Sequence, residues 1–111
     1  MAKLYLIKND ACPDHMEYLF MCPGCKCGHT FITQWGSCEL VQNRAKNHNP
    51  TKPTWTFNGD MDKPTFSPSL LYPSMKCHLF LRDGVIQFLN DCGHAFAGQN
   101  VPLKDLEEDN V

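Results

Sequence analysis

Within eight residues, Cys22-Pro23-Gly24-Cys25-Lys26-Cys27-Gly28-His29 gathers three thiols and an imidazole. Pro23 and Gly24 favour a tight turn, and a C-x-x-C turn lets two thiolates converge on one ion. Zinc takes sulfur and nitrogen donors in a tetrahedron, so this segment holds half to three quarters of such a site. The remaining donor must come from elsewhere, and Cys77-His78 or Cys92-Gly93-His94 can supply it. The sequence therefore describes a small domain clipped by a metal.

Composition supports that reading. A chain of 111 residues makes one domain, 1–111, with a modest core that a structural metal would help to hold. A hydrophobic content of 42% with 20% charged residues is that of a soluble globular protein. A net charge of −2 gives no strong pull toward nucleic acid or anionic membranes. Met1 to Tyr5 lacks the pattern of a signal peptide, and no stretch reaches the length of a membrane span. Seven cysteines, an odd number, fit metal ligation in a reducing cytoplasm better than a disulfide framework. Cys12 and Cys38 lie apart from the ligand clusters and read as small apolar residues or unpaired thiols.

Along the chain, Lys3–Ile7, Glu17–Met21 and Thr30–Trp35 read as strands, so the cysteine-rich turn joins two of them. Gly36 to Pro53 is a loop insert with two helical turns over Glu39–Lys46, and His48 is a solvated loop residue. Trp55–Asn58 is a further strand. Pro64-Thr65-Phe66-Ser67-Pro68-Ser69-Leu70-Leu71 is held extended by its prolines, as an edge strand or the rim of a site. Ser67 and Ser69 are hydroxyls on a stiffened backbone, or simply bond their own backbone. The segment 103–111 is an acidic tail with one or two helical turns. The expected fold is mainly β: a small zinc-stabilised antiparallel sheet or sandwich of about six short strands with little helix.

The firmest local signal is Asp83-Gly84 between two apolar runs, the mark of a two-residue hairpin. It pairs Arg82 with Val85, Phe80 with Gln87 and His78 with Leu89. The pleat then sends Cys77, Leu79, Leu81, Ile86, Phe88 and Cys92 to one face, and His78, Phe80, Gln87, Leu89 and Asp91 to the other. Neighbours Cys77 and His78 cannot both reach one ion from a regular strand. The register thus divides the work: Cys77 for the metal, and His78 with its diagonal neighbour Asp91 for other chemistry, unless a bulge intervenes. A carboxylate beside an imidazole fixes its tautomer and raises its basicity.

The knuckle with His29, Trp55-Thr56-Phe57-Asn58-Gly59, the segment Pro64 to Leu70, Cys77-His78-Leu79-Phe80 and His94-Ala95-Phe96-Ala97-Gly98-Gln99 occur together in this order. In this the chain resembles a family of small phage and prophage proteins that often carry the label "ammonia monooxygenase". It is distantly similar to small proteins encoded beside bacterial ubiquitin-like conjugation genes. The resemblance implies functional roles for Cys22, Cys25, His29, Cys77, His78 and His94, and for Ser67 and Ser69. It also implies a metal-containing peptidase or deconjugating activity, in the host cytoplasm if phage-encoded.

Two functions compete. In the first, Cys22, Cys25, His29 and Cys77 hold a closed structural Zn2+, with Cys27, His78, Cys92 or His94 as replacements for His29. Ser69, or Ser67, is then the nucleophile of a hydrolase, His78 or His94 its base and Asp91 the orienting carboxylate. A variant makes the metal catalytic, against which stands the thiolate-rich donor set. In the second, the chain is a non-enzymatic zinc module that binds a host protein through aromatics such as Trp35, Trp55 or Phe66. A protein substrate or partner is expected in both; nucleic acid is the weaker reading.

Overall fold

A computed structural model describes residues 4–73 and 76–103. Two antiparallel sheets form the molecule. The first has the order β1-β2-β3, with β1 at Tyr5–Ile7, β2 at Met16–Cys22 and β3 at Cys27–Gln34. A helix, α1 (Glu39–His48), crosses to the second sheet. There β4 (Thr56–Phe57), β5 (Phe66–Tyr72), β6 (Cys77–Arg82), β7 (Val85–Phe88) and β8 (Asn100–Pro102) follow one another in space as in sequence. The expected mainly-β class holds, with eight strands among the described residues where about six were read. Of the expected acidic tail, only Leu103 lies among the described residues, and Lys3 of the first strand lies outside them.

The sheets meet face to face through aromatic rings. Phe31 of β3 stacks on Phe66 of β5 at 4.2 Å, and Phe57 of β4 stacks on Phe66 at 4.5 Å. Alternation supplies the rest: Cys77, Leu79, Leu81, Ile86 and Phe88 are buried, while His78, Phe80, Val85 and Gln87 face outward and are half-buried. The Asp83-Gly84 turn has both residues at positive φ, 51° and 76°, as a type I′ turn requires. Its register is Arg82 with Val85 and Phe80 with Gln87, and the Leu89 N–H donates to the His78 carbonyl at 3.0 Å.

The Pro-rich segment is an edge over part of its length only. β5 lies inside its sheet, although β4 pairs with it only at Phe66 and Ser67. Phe66 faces Leu81 and Leu70 faces Leu79, so β5 advances four residues while β6 advances two. The surplus is a bulge carrying Ser67, Pro68 and Ser69. Bulges of this kind re-aim side chains.

The insert is anchored rather than loose. Glu17 on β2 is 3% exposed, and Arg44 of α1 grips it with two hydrogen bonds of 2.8 Å. The Gly36 N–H donates to His15 Nδ1, leaving Nε2–H of that ring to donate to Glu17 at 2.8 Å. Burial alone would raise the Glu17 carboxyl, but the Arg44 and His15 bonds outweigh it and hold it at about 2 instead of 4.5. Folding therefore favours the ionised form. Glu17 should contribute about 3 kcal/mol above pH 4.5, lost as pH falls toward 2. Urea titrations across that window should show the loss, and Glu17→Gln should flatten it.

One cysteine reading is corrected. Cys12 and Cys38 form a disulfide, with Cα atoms 5.4 Å apart, rather than remaining thiols. Cys12 ends the turn after β1 and Cys38 precedes α1. The docking of α1 on Glu17, with Asp14 accepting from the Ser37 N–H and hydroxyl, draws the two together across 26 residues.

Candidate active site and metal centre

Two clusters flank β6, one on each side. On the inner side, the β2–β3 hairpin closes with Cys22 opposite Cys27, and the Lys26 N–H donates to the Cys22 carbonyl at 2.8 Å. Lys26 takes φ of 58° to make this turn, and the Cys25 N–H points at Cys22 Sγ, 3.5 Å away. Cys77 enters from β6, its sulfur 3.9 Å from Cys22 Sγ. His94, past the end of β7, brings Nε2 to 3.7 Å from Cys77 Sγ. Its ring stands edge-on to Phe88 and so close over Gly24 that any Cβ there would collide with it.

All four donor atoms of Cys22, Cys25, Cys77 and His94 lie within 4.8 Å of one another. Donors about 2.3 Å from a tetrahedral centre sit about 3.8 Å apart, so the set fits a metal ion. The thiols alone are ill at ease. Burial, outweighing a hydrogen bond with Cys77, pushes Cys25 up to about 11, and burial together with the neighbouring sulfurs pushes Cys77 further still. A cation would relieve that cost and draw off the protons.

Of the expected ligands, Cys22, Cys25 and Cys77 are brought together, and His94 stands where His29 was expected. His29 lies on β3, 1% exposed, stacked on Tyr72 at 4.3 Å, with neither ring nitrogen hydrogen-bonded among the described residues. Burial lowers its pKa, so the ring stays neutral. Cys27 closes the hairpin outside the group, and Cys92 serves another purpose. Its thiol donates to the His78 carbonyl at 3.0 Å and its sulfur accepts the His78 N–H at 3.3 Å, extending the ladder past β7.

On the outer side, Ser69 Oγ is 3.2 Å from His78 Nε2, and His78 Nδ1 is 3.1 Å from Asp91 Oδ2. With Nδ1–H donated to the carboxylate, Nε2 offers its lone pair to the serine hydroxyl. His78 is 24% exposed and Asp91 64%, so the line opens to solvent at the carboxylate end. The bulge in β5 sets Ser69 in this position, while the Ser67 carbonyl accepts from the Thr56 hydroxyl at 3.4 Å. Trp55 holds the Ser69 carbonyl through Nε1 at 3.2 Å. That role left no trace in the sequence beyond the aromatic itself. His94, an alternative base on the sequence, faces the cysteines instead.

A nucleophile, a base and an orienting carboxylate in hydrogen-bonded line are the parts of an acyl-transfer site. Residues 1–89 match the family model of a bacterial ubiquitination-like system serine protease, BubE. The chain belongs to the BubE family. The matched span includes Ser69, His78, Cys22, Cys25 and Cys77, and ends just before Asp91 and His94. Membership agrees with the resemblance to proteins beside ubiquitin-like conjugation genes and lends nothing to the phage or ammonia monooxygenase labels. Searches of curated proteins and of solved structures found no match. Among the described residues, no helix is long and apolar enough to cross a membrane.

Proposed function

We propose that this chain is a serine peptidase or isopeptidase that releases a small protein modifier from its conjugates or precursor. The observation that carries this is the Ser69–His78–Asp91 line in a member of a serine protease family. His78 takes the Ser69 proton as Oγ bonds to the substrate carbonyl carbon. His78 then gives that proton to the departing amine as the C–N bond breaks. Water, deprotonated by the same imidazole, cleaves the acyl ester, freeing a carboxylate and restoring Ser69. Asp91 holds the imidazole tautomer and balances its positive charge between the two transfers.

We assign Cys22, Cys25, Cys77 and His94 to a structural zinc ion. Three thiolates and an imidazole close a tetrahedron and leave no position for a water nucleophile. Bound there, zinc would cross-link the β2–β3 hairpin, β6 and the segment after β7. Cys77 immediately precedes His78, and His94 follows Asp91 by three positions, so the clip sits directly behind the proposed base and its carboxylate. We place the chain in the cytoplasm, as expected from the sequence, with the Cys12–Cys38 bond standing apart from these metal-facing thiols.

The test is hydrolysis of a pool of capped tetrapeptidyl aminocoumarins with randomised side chains. The wild type should release fluorophore and Ser69→Ala should not. Equal release by both would overturn the assignment. Neither protein releasing fluorophore would favour the non-enzymatic zinc module.

A further inference from the structure

Among the described residues, β5 has a stretch of backbone with no strand partner on the β4 side, beside the proposed nucleophile. In an antiparallel sheet a residue sends both its N–H and C=O to one side, and successive pairs alternate between bonded and non-bonded. His78 sends both groups toward β7: its carbonyl accepts from Leu89 and its N–H meets Cys92 Sγ. Its partner across the ladder is Leu71. The Leu71 N–H and C=O must therefore point away from β6, toward the side where β4 would lie. But β4 pairs with β5 only at Phe66 and Ser67. Trp55 Nε1 then occupies the Ser69 carbonyl, and among the described residues no strand reaches Leu71. Leu71 is 53% exposed.

Open strand edges recruit extended polypeptide, and the register of what they recruit is fixed by backbone hydrogen bonds. The His78 ring reaches Ser69 Oγ from the β6 side. A strand added at Leu71, about 4.8 Å out from β5, would approach the serine from the opposite side, where an acyl carbon belongs. Resting on the serine-protease reading above, we propose that the substrate's scissile segment binds as an added strand on this edge. It exchanges two backbone hydrogen bonds with Leu71, which set the carbonyl to be attacked at Ser69. The substrate class is then an unfolded, extended segment with a free amide at one defined position, such as the tail of a small folded modifier.

Leu71→Pro removes the outward N–H without breaking a ladder bond, since that group has none within the sheet. Leu71→Ala keeps the backbone and shortens the side chain. The readout is kcat/KM on the aminocoumarin pool, divided by the rate at which a fluorophosphonate, which has no peptide backbone, labels Ser69. For Leu71→Pro this ratio should fall about tenfold, as for one lost hydrogen bond, and for Leu71→Ala it should fall much less. N-methylating the pool at each amide in turn should depress cleavage at one position above the rest. An unchanged ratio in Leu71→Pro, an equal fall in Leu71→Ala, or no preferred N-methyl position would each overturn the edge. So would a wild type whose Ser69 is labelled but which ignores the pool. Failure of Ser69 to react at all would instead overturn the underlying protease reading.

Discussion

Ser69→Ala is expected to lower kcat/KM for amide cleavage by ~10⁴-fold or more, with the fold and metal content unchanged. The hydroxyl sits on the bulge, half-buried, and bonds His78, so its loss should remove chemistry and little structure. His78→Ala should cost a comparable factor. The double variant should be no worse than either single one, because nucleophile and base act as a unit. Asp91→Asn should cost less, ~10²-fold, since a carboxylate 64% exposed shares its charge with water and holds the imidazole less firmly than a buried one. Purely structural roles for these residues would give additive losses that follow thermal stability. Steady-state kinetics on the three singles and the Ser69→Ala/His78→Ala pair, with melting curves, separate the two.

Metal removal is expected to have the largest effect on stability. Structural zinc contributes on the order of 10 kcal/mol to small domains, as much as an entire domain of this size holds in reserve. Cys77→Ser should therefore leave the protein largely unfolded at room temperature, and strong chelators should unfold the wild type slowly. Activity should vanish with the circular dichroism signal and return with it when zinc is restored. Loss of activity from a protein that stays folded would point to a catalytic metal. Binding should tighten as pH rises, because Cys25 at about 11 and the still higher Cys77 keep their protons until a cation displaces them. Proton release on zinc addition, followed by calorimetry in buffers of different ionisation heat, reads this directly. His29→Ala should spare the metal, whereas His94→Ala should weaken it.

The parts of this architecture that follow from local chemistry were legible in the sequence. Asp83-Gly84 sets a two-residue turn, the turn sets the register, and the register alone separates Cys77 from His78 and lays Asp91 beside the imidazole. The knuckle was legible as well, because its turn and thiols are contiguous. What stayed hidden depends on where distant segments meet. His29 is nearer than His94 in sequence, yet it leaves Cys27 along a regular strand that carries it under Tyr72. His94 arrives through an irregular turn, over a glycine that alone leaves room for the ring. The Cys12–Cys38 bond depends on the docking of α1 through Glu17 and Arg44, a pairing across 27 residues that no local pattern announces. β8 is three residues ending in a proline and carries no periodicity to find. Ser69 could not be separated from Ser67 because the bulge that aims one of them is set by pairing with β6, not by the Pro-Ser segment itself.

Ser69 is the proposed nucleophile, and His78 activates it. Reaction with a fluorophosphonate, digestion and mass mapping of the adduct test this most directly. One phosphonyl group per chain is expected, on Ser69, with labelling slowed at least ~10²-fold in His78→Ala. An adduct on Ser67 or on a cysteine, or labelling of Ser69 that is indifferent to His78, would contradict it.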